Sequence, residues 1–199
     1  AGFIGMEMVE NLHQLGYHIT IVEKAPQVMT TVDAPIAAVI QYQLKEKNIK
    51  LMLNTEVQNF EDSDDAVCVN LSNGEQLKAD FVILSIGVKP NTELAQAAEL
   101  KIGPAGGIWV NEFLQTSNPD IYAVGDAIEF ANPISGIPYC CYLAGPANRQ
   151  ARICADNLVL GNKTAYKGSV ATAVAKVFSW TVGSTGLSEN YLRKNHIPF

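Results

Sequence analysis

Thr116-Ser117-Asn118-Pro119-Asp120-Ile121-Tyr122-Ala123-Val124-Gly125-Asp126 is the stretch on which the reading of the fold turns. The apolar run 121–124 predicts a strand, and Gly125-Asp126 closes it. That places a carboxylate at the carboxyl end of a strand, where α/β sheets bind their ligands. Gly125 lets the backbone approach a ligand closely, and Asp126 can accept hydrogen bonds from ligand hydroxyls. The plainer alternative is a strand that simply ends in an acidic turn.

A second ligand signal stands at the front of the chain. Gly2 and Gly5 have the spacing of the second and third glycines of G-x-G-x-x-G. In that motif the second glycine admits a pyrophosphate to the backbone, and the third lets helix and strand pack closely. A helix N-terminus there, with Ile4 in its first turn, offers unpaired N–H groups and a partial positive charge. Glu23 lies 21 residues after Gly2, at the end of the next apolar strand. A carboxylate in that place accepts hydrogen bonds from an adenosine ribose 2′-hydroxyl, with Lys24 beside it. The competing reading is an ordinary α/β unit whose helix happens to begin with glycines. On spacing alone, Glu7 is a solvated helix residue.

Between these signals the pattern is that of an α/β protein. Ile4, Met8, Leu12 and Leu15 recur at helical spacing before Gly16, and the stripe of Met6, Met8 and Leu12 is expected in the core. A strand is predicted at 18–22 and a helix at 34–47. Three short strands follow near 50–61, 66–71 and 75–78, joined at Asp62-Ser63-Asp64-Asp65 and at the hairpin signal Asn73-Gly74. Phe81-Val82-Ile83-Leu84 predicts a further buried strand, closed by Gly87 and Pro90. A helix at 146–160 has Pro146 in its first turn and Gly161 just past its end. Strands at 174–178 and from Thr181, then a short helix from Ser188, complete the chain.

Composition narrows the function classes. The 199 residues are 48% hydrophobic and 17% charged, which suits a folded core. A net charge of −6 without a Lys/Arg-rich run argues against nucleic acid and anionic membranes as partners. No apolar stretch approaches the roughly 18–20 residues of a membrane span. Cys68, Cys140, Cys141 and Cys154 lack zinc-like or CxxC spacing, which points to a reducing cytoplasm. Cys68 and Cys154 read as small core residues, and the adjacent Cys140-Cys141 as buried residues, since a ring closed between neighbouring thiols is strained. His13, His18 and His196 have no ligand spacing, so no metal is expected. The chain opens on Ala1-Gly2-Phe3-Ile4-Gly5, already inside the glycine turn, and is read as a fragment lacking the strand before Ala1.

The string 116–126 resembles the second FAD-binding motif of the pyridine nucleotide-disulfide oxidoreductase family. The resemblance implies that Asp126, next to Gly125, holds the ribityl chain of FAD. Other segments resemble the same family in the same order. Ser85-Ile86-Gly87-Val88-Lys89-Pro90 looks like its crossover from the NAD domain to the FAD domain, and Glu7 matches a glutamate beside the nicotinamide ring. Val174-Ala175-Lys176-Val177-Phe178 looks like the opening of its dimerisation domain, and the likeness runs over nearly all 199 residues. The implied fold is an α/β two-dinucleotide-binding flavoprotein fold. Its parts are a Rossmann-like NAD domain at 1–86 lacking its first strand, the rear of the FAD domain at 87–164, and the start of a dimerisation domain at 165–199.

Leu143-Ala144-Gly145-Pro146-Ala147-Asn148-Arg149-Gln150-Ala151-Arg152 resembles the coenzyme A disulfide reductase branch, with Ala151 in place of the usual glycine. A helix beginning near Pro146 can direct N–H groups from Gly145, Ala147 and their neighbours at the flavin. The alternative is structural packing with Arg149 and Arg152 in water. The resemblance implies a homodimer that takes a hydride from NADH, with NADPH disfavoured by Glu23, and passes it through FAD to a thiol disulfide. NADH oxidase or NADH peroxidase activity, with an oxygen-derived substrate, is the alternative within the class. A nucleotide-binding fragment without turnover is the alternative outside it. The family's redox cysteine would lie upstream of Ala1, so none of the four cysteines inherits that role.

Overall fold

The computed structural model describes residues 1–63 and 65–199, so the Asp64 part of the 62–65 turn lies outside the described residues. The chain begins with α1 (Phe3–Gln14), β1 (Thr20–Val22), α2 (Ala34–Glu46) and β2 (Lys50–Met52). A meander follows, β3 (Val57–Ser63), β4 (Ala66–Leu71) and β5 (Gln76–Ala79). Then come α3 (Glu93–Ala97), β6 (Ile108–Trp109), a single 3-10 turn at Gly125–Ala127, β7 (Ile128–Ala131) and β8 (Pro138–Cys140). Last are α4 (Ala144–Leu160), β9 (Ala173–Val177), β10 (Trp180–Ser184) and α5 (Glu189–Lys194).

Two compact units emerge. The first comprises Ala1–Gly87 with Val174–Gly183 and Ser188–Asn190. Its β1 and β2 pair in parallel, Thr20 with Lys50 and Val22 with Met52, which requires the α2 crossover between them. Pro35 sits in the first turn of α2, where its missing N–H costs nothing, and Ala37, Ile40 and Leu44 form the buried stripe. These pack with Met6, Val9, Ile21, Val28 and Met29, and with Ala175, Val177 and Val182 from the β9–β10 hairpin. The β3–β4–β5 meander is antiparallel, and Gly74 takes φ +84° in the turn that Asn73-Gly74 predicts.

Three expectations are corrected in this unit. Along α1 the buried face is Met6, Val9 and Glu10, whereas Ile4 (60% exposed), Met8 and Leu15 face outward. Apolar residues occur on two faces of this helix, and the neighbouring α2 and β9 select the one that is covered. The strand predicted at 18–22 is shorter, because only Thr20–Val22 finds a ladder on β2. The run 81–84 forms no strand, and Phe81, Val82, Ile83 and Leu84 are exposed. Apolar composition drives burial, but a strand also needs a ladder partner, and none is paired with 81–84 among the described residues.

The second unit comprises Val88–Ala173, Ser184–Leu187 and Tyr191–Phe199. Its sheet is mixed: β6 is parallel to β7, and β8 is antiparallel to β7. Ile108, Val110, Leu114, Ile128, Cys154 and Tyr166 make its core. The predicted strand 121–124 is reduced to one bridge, Tyr122 to Gln115. The Ala123 N–H donates to Leu114 O at 3.0 Å and the Thr116 N–H to Ile121 O at 2.9 Å, an irregular pairing of two loops. Gly125 and Asp126 therefore lead into β7 and do not end a ladder strand, contrary to the sequence reading.

Candidate dinucleotide sites

In the first unit, Gly2 is the N-cap of α1, with no side-chain cap and no acidic residue in the first turn. The helix begins with open donors, and a Cβ on Gly2 would meet nothing within 4 Å. Ile4 is exposed beside it. Gly5 faces the other way: a Cβ there would touch Ser85 Oγ at 3.4 Å, so the close packing expected of Gly5 is against the 81–85 segment. Glu23 lies beside the start of α1. The Ala1 amine donates to Glu23 Oε2 at 2.6 Å, and the Ala25 N–H donates to Glu23 Oε1 at 2.9 Å. Glu23 thus offers acceptor oxygens beside the glycine turn, just past the carboxyl end of β1.

Lys24 forms a 2.9 Å ion pair with Glu56. Glu7 is exposed on α1, and Gly87 takes φ +102° in an exposed position. No bond links Glu7 or Gly87 to the Gly2–Glu23 pair among the described residues.

In the second unit, the Gly125-Asp126 turn rests on the start of α4. Gly125 takes φ +78°, a conformation that favours glycine, and a Cβ there would lie 3.9 Å from Ala147 Cβ. The Gly125 N–H donates to Gln150 Oε1 at 2.7 Å. Gln150 is 1% exposed, so the bond is made out of water, where losing it is costly. Asp126 next door is exposed. The helix α4 also begins without a side-chain cap or an acidic residue, and Gly145 is open to solvent ahead of Pro146. An exposed carboxylate and an uncapped helix N-terminus thus share one patch. That pairing suits a ligand with hydroxyls at one end and a polarisable, electron-accepting ring at the other. The FAD part proposed for Asp126 and for Gly145, Pro146 and Ala147 fits it.

The cysteines are all unbridged. Burial raises the Cys140, Cys141 and Cys154 thiols, which disfavours the reactive thiolate. Cys68 is half-buried within β4.

Residues 1–151 match the pattern of the pyridine nucleotide-disulphide oxidoreductases. The chain belongs to this family. An NADH oxidase from Enterococcus faecalis is 35% identical over 98% of this chain and 44% of its own length. A CoA-dependent NAD(P)H sulfur oxidoreductase from Pyrococcus furiosus is 32% identical over 95% of this chain and 42% of its own. The chain therefore spans less than half the length of these relatives. Among solved structures, reduced CoADR-RHD from Bacillus anthracis superposes with a TM-score of 0.94 and 43% identity, over 99% of this chain and 35% of that one. The α/β architecture is accordingly part of a two-dinucleotide-binding flavoprotein fold. No helix among the described residues is long and apolar enough to cross a membrane.

Sequence reasoning missed Gln150, Glu10 and Glu56. Gln150 stands four residues after Pro146, which places it one turn further along the same helix face, and this spacing was the available signal. Nothing in a single sequence marks Glu10 as buried or Glu56 as a partner of Lys24.

Proposed function

We propose that this chain supplies the NADH site and part of the FAD site of a disulfide oxidoreductase that passes a hydride from NADH, by way of FAD, to a thiol disulfide such as coenzyme A disulfide. The observation that carries the reading is the Gly125–Gln150 bond, which joins the Asp126 turn to the open end of α4. The NADH site comprises Gly2, Ile4, Gly5, Glu7, Glu23, Lys24 and Gly87, with Glu23 receiving the adenosine ribose. The FAD part comprises Gly125, Asp126, Gly145, Pro146 and Ala147. FAD, when bound, supplies a two-electron relay. The chain's own task is to hold the ribityl hydroxyls at Asp126 and to aim helix N–H groups at the ring.

The domains follow as 1–86 for NAD, 87–164 for FAD and 165–199 for the start of a dimerisation domain in a homodimer. Four unbridged cysteines support a reducing, cytoplasmic setting. The likeness to an NADH oxidase favours oxygen as the acceptor in a second reading. Rapid-mixing measurement of NADH consumption by the intact protein separates the two. Faster turnover with coenzyme A disulfide, or a related disulfide or polysulfide, is expected. Turnover with oxygen while coenzyme A disulfide is inert would transfer the protein to the oxidases.

A further inference from the structure

We propose that Glu56 is a second determinant of cofactor choice, acting by holding Lys24 away from the position of an adenosine 2′-phosphate. The inference rests on reading the Gly2–Glu23 turn as the adenosine site. A 2′-phosphate needs a cation near the acceptor that would otherwise hold the ribose hydroxyl. Lys24 follows Glu23 directly and could supply one, since its long stem reaches in several directions. In this structure its ammonium is committed to Glu56 Oε1 at 2.9 Å.

The placement of Glu56 is not accidental to the site. Segment 23–25 is laced to 52–55 by three backbone bonds: Glu23 N–H to Met52 O, Asn54 N–H to Ala25 O, and Thr55 N–H to Glu23 O, all between 2.9 and 3.1 Å. Glu56 is the next residue, and it is anchored to Ser72. Its N–H donates to Ser72 Oγ at 3.0 Å, and the Ser72 N–H donates to its carbonyl at 2.8 Å. The carboxylate is therefore delivered to Lys24 by a fixed backbone, although both side chains are more than half exposed. Glu56 then neutralises the lysine that follows Glu23 in the chain, an arrangement that favours a ribose hydroxyl over a phosphate.

The test compares adenosine 2′,5′-bisphosphate with 5′-AMP, which differ by the 2′-phosphate, in calorimetric titrations of the intact protein. No flavin chemistry enters the readout. Glu56→Gln is expected to tighten the bisphosphate about 2–5-fold, the scale of one exposed ion pair, and to leave 5′-AMP unchanged. The gain should shrink at high salt and disappear when Lys24→Met is added. An unchanged ratio in Glu56→Gln, or a gain that survives Lys24→Met, would overturn the role given to Glu56. Failure of the unaltered protein to bind 5′-AMP would instead overturn the adenosine site itself. An unchanged circular dichroism spectrum and melting midpoint in each variant is the check that it has folded.

Discussion

Replacing Glu10 by alanine should loosen the β9–β10 hairpin from the first unit, by an amount the structure allows to be worked out. Glu10 is 7% exposed on α1. Its Oε1 accepts from Lys176 Nζ at 2.6 Å, and its Oε2 accepts from the Phe178 N–H at 2.8 Å. Phe178 takes φ +53°, a strained conformation for an aromatic residue that costs on the order of 1–3 kcal/mol, so it depends on its surroundings. The Phe178 bond is charge-assisted and worth ~1.5–3 kcal/mol. Lys176 is 67% exposed and can return to water, so its pair adds only ~0–1 kcal/mol. Together Glu10→Ala should cost about 2–4 kcal/mol locally. Protection of the Phe178 amide in native-state hydrogen exchange should then fall by roughly 30- to 1000-fold.

The pH dependence has a definite sign. The bond from Lys176 comes first among the causes that hold the Glu10 carboxyl below its ordinary range; burial opposes it and the Phe178 N–H reinforces it. A depressed folded-state pKa gives stability that is complete above the unfolded value, about 4.3, and is lost as pH falls through the folded value. The difference between the unaltered protein and Glu10→Gln should thus be full at pH 7 and shrink below about pH 4. Equal Phe178 protection in Glu10→Ala and the unaltered protein at pH 7 would refute the reasoning, as would a difference that grows on acidification.

Two further outcomes are expected. Gln150→Leu removes the acceptor of the part-buried Gly125 N–H, so FAD affinity of the intact protein should fall by ~1–3 kcal/mol; equal flavin titrations for the leucine variant and the unaltered protein would remove Gln150 from the site. Gly107→Ala would set a Cβ 2.6 Å from Glu129 N and 2.7 Å from Ile128 C, both backbone, and should destabilise by ~1–3 kcal/mol, while Gly145→Ala meets nothing within 4 Å; thermal melts giving the two variants the same midpoint would count against this packing account.

What the sequence disclosed, and what it did not, follows from the range of the forces involved. Turns and helix ends are local, so Asn73-Gly74, Gly161 and the glycine start of α1 were legible from a few residues each. The approach of Glu23 to the start of α1 was legible because a strand and a helix have fixed lengths, which turn a separation of 21 residues from Gly2 into a juxtaposition. Strands 81–84 and 121–124 were overcalled because period and apolarity report only a tendency to extend and bury, while a strand exists through its neighbours. Choosing the face of α1 failed for the same reason: Met8 and Val9 are equally apolar, and only α2 and β9 decide between them. Polar partners are the least legible of all. Glu10 with Phe178 and Glu56 with Lys24 are separated by 168 and 32 residues, and neither carboxylate differs in sequence from a solvated one. The helices α1, α2 and α4 carry no acidic residue in their first turns, whereas the short α3 and α5 carry Glu93 and Glu189. A helix start without an acidic first turn, near a carboxylate, therefore occurs in both units, at Gly2 with Glu23 and at the start of α4 with Asp126. On the proposed reading, that repeated combination would offer each dinucleotide hydrogen-bond donors for its electron-rich end and an acceptor for its hydroxyls.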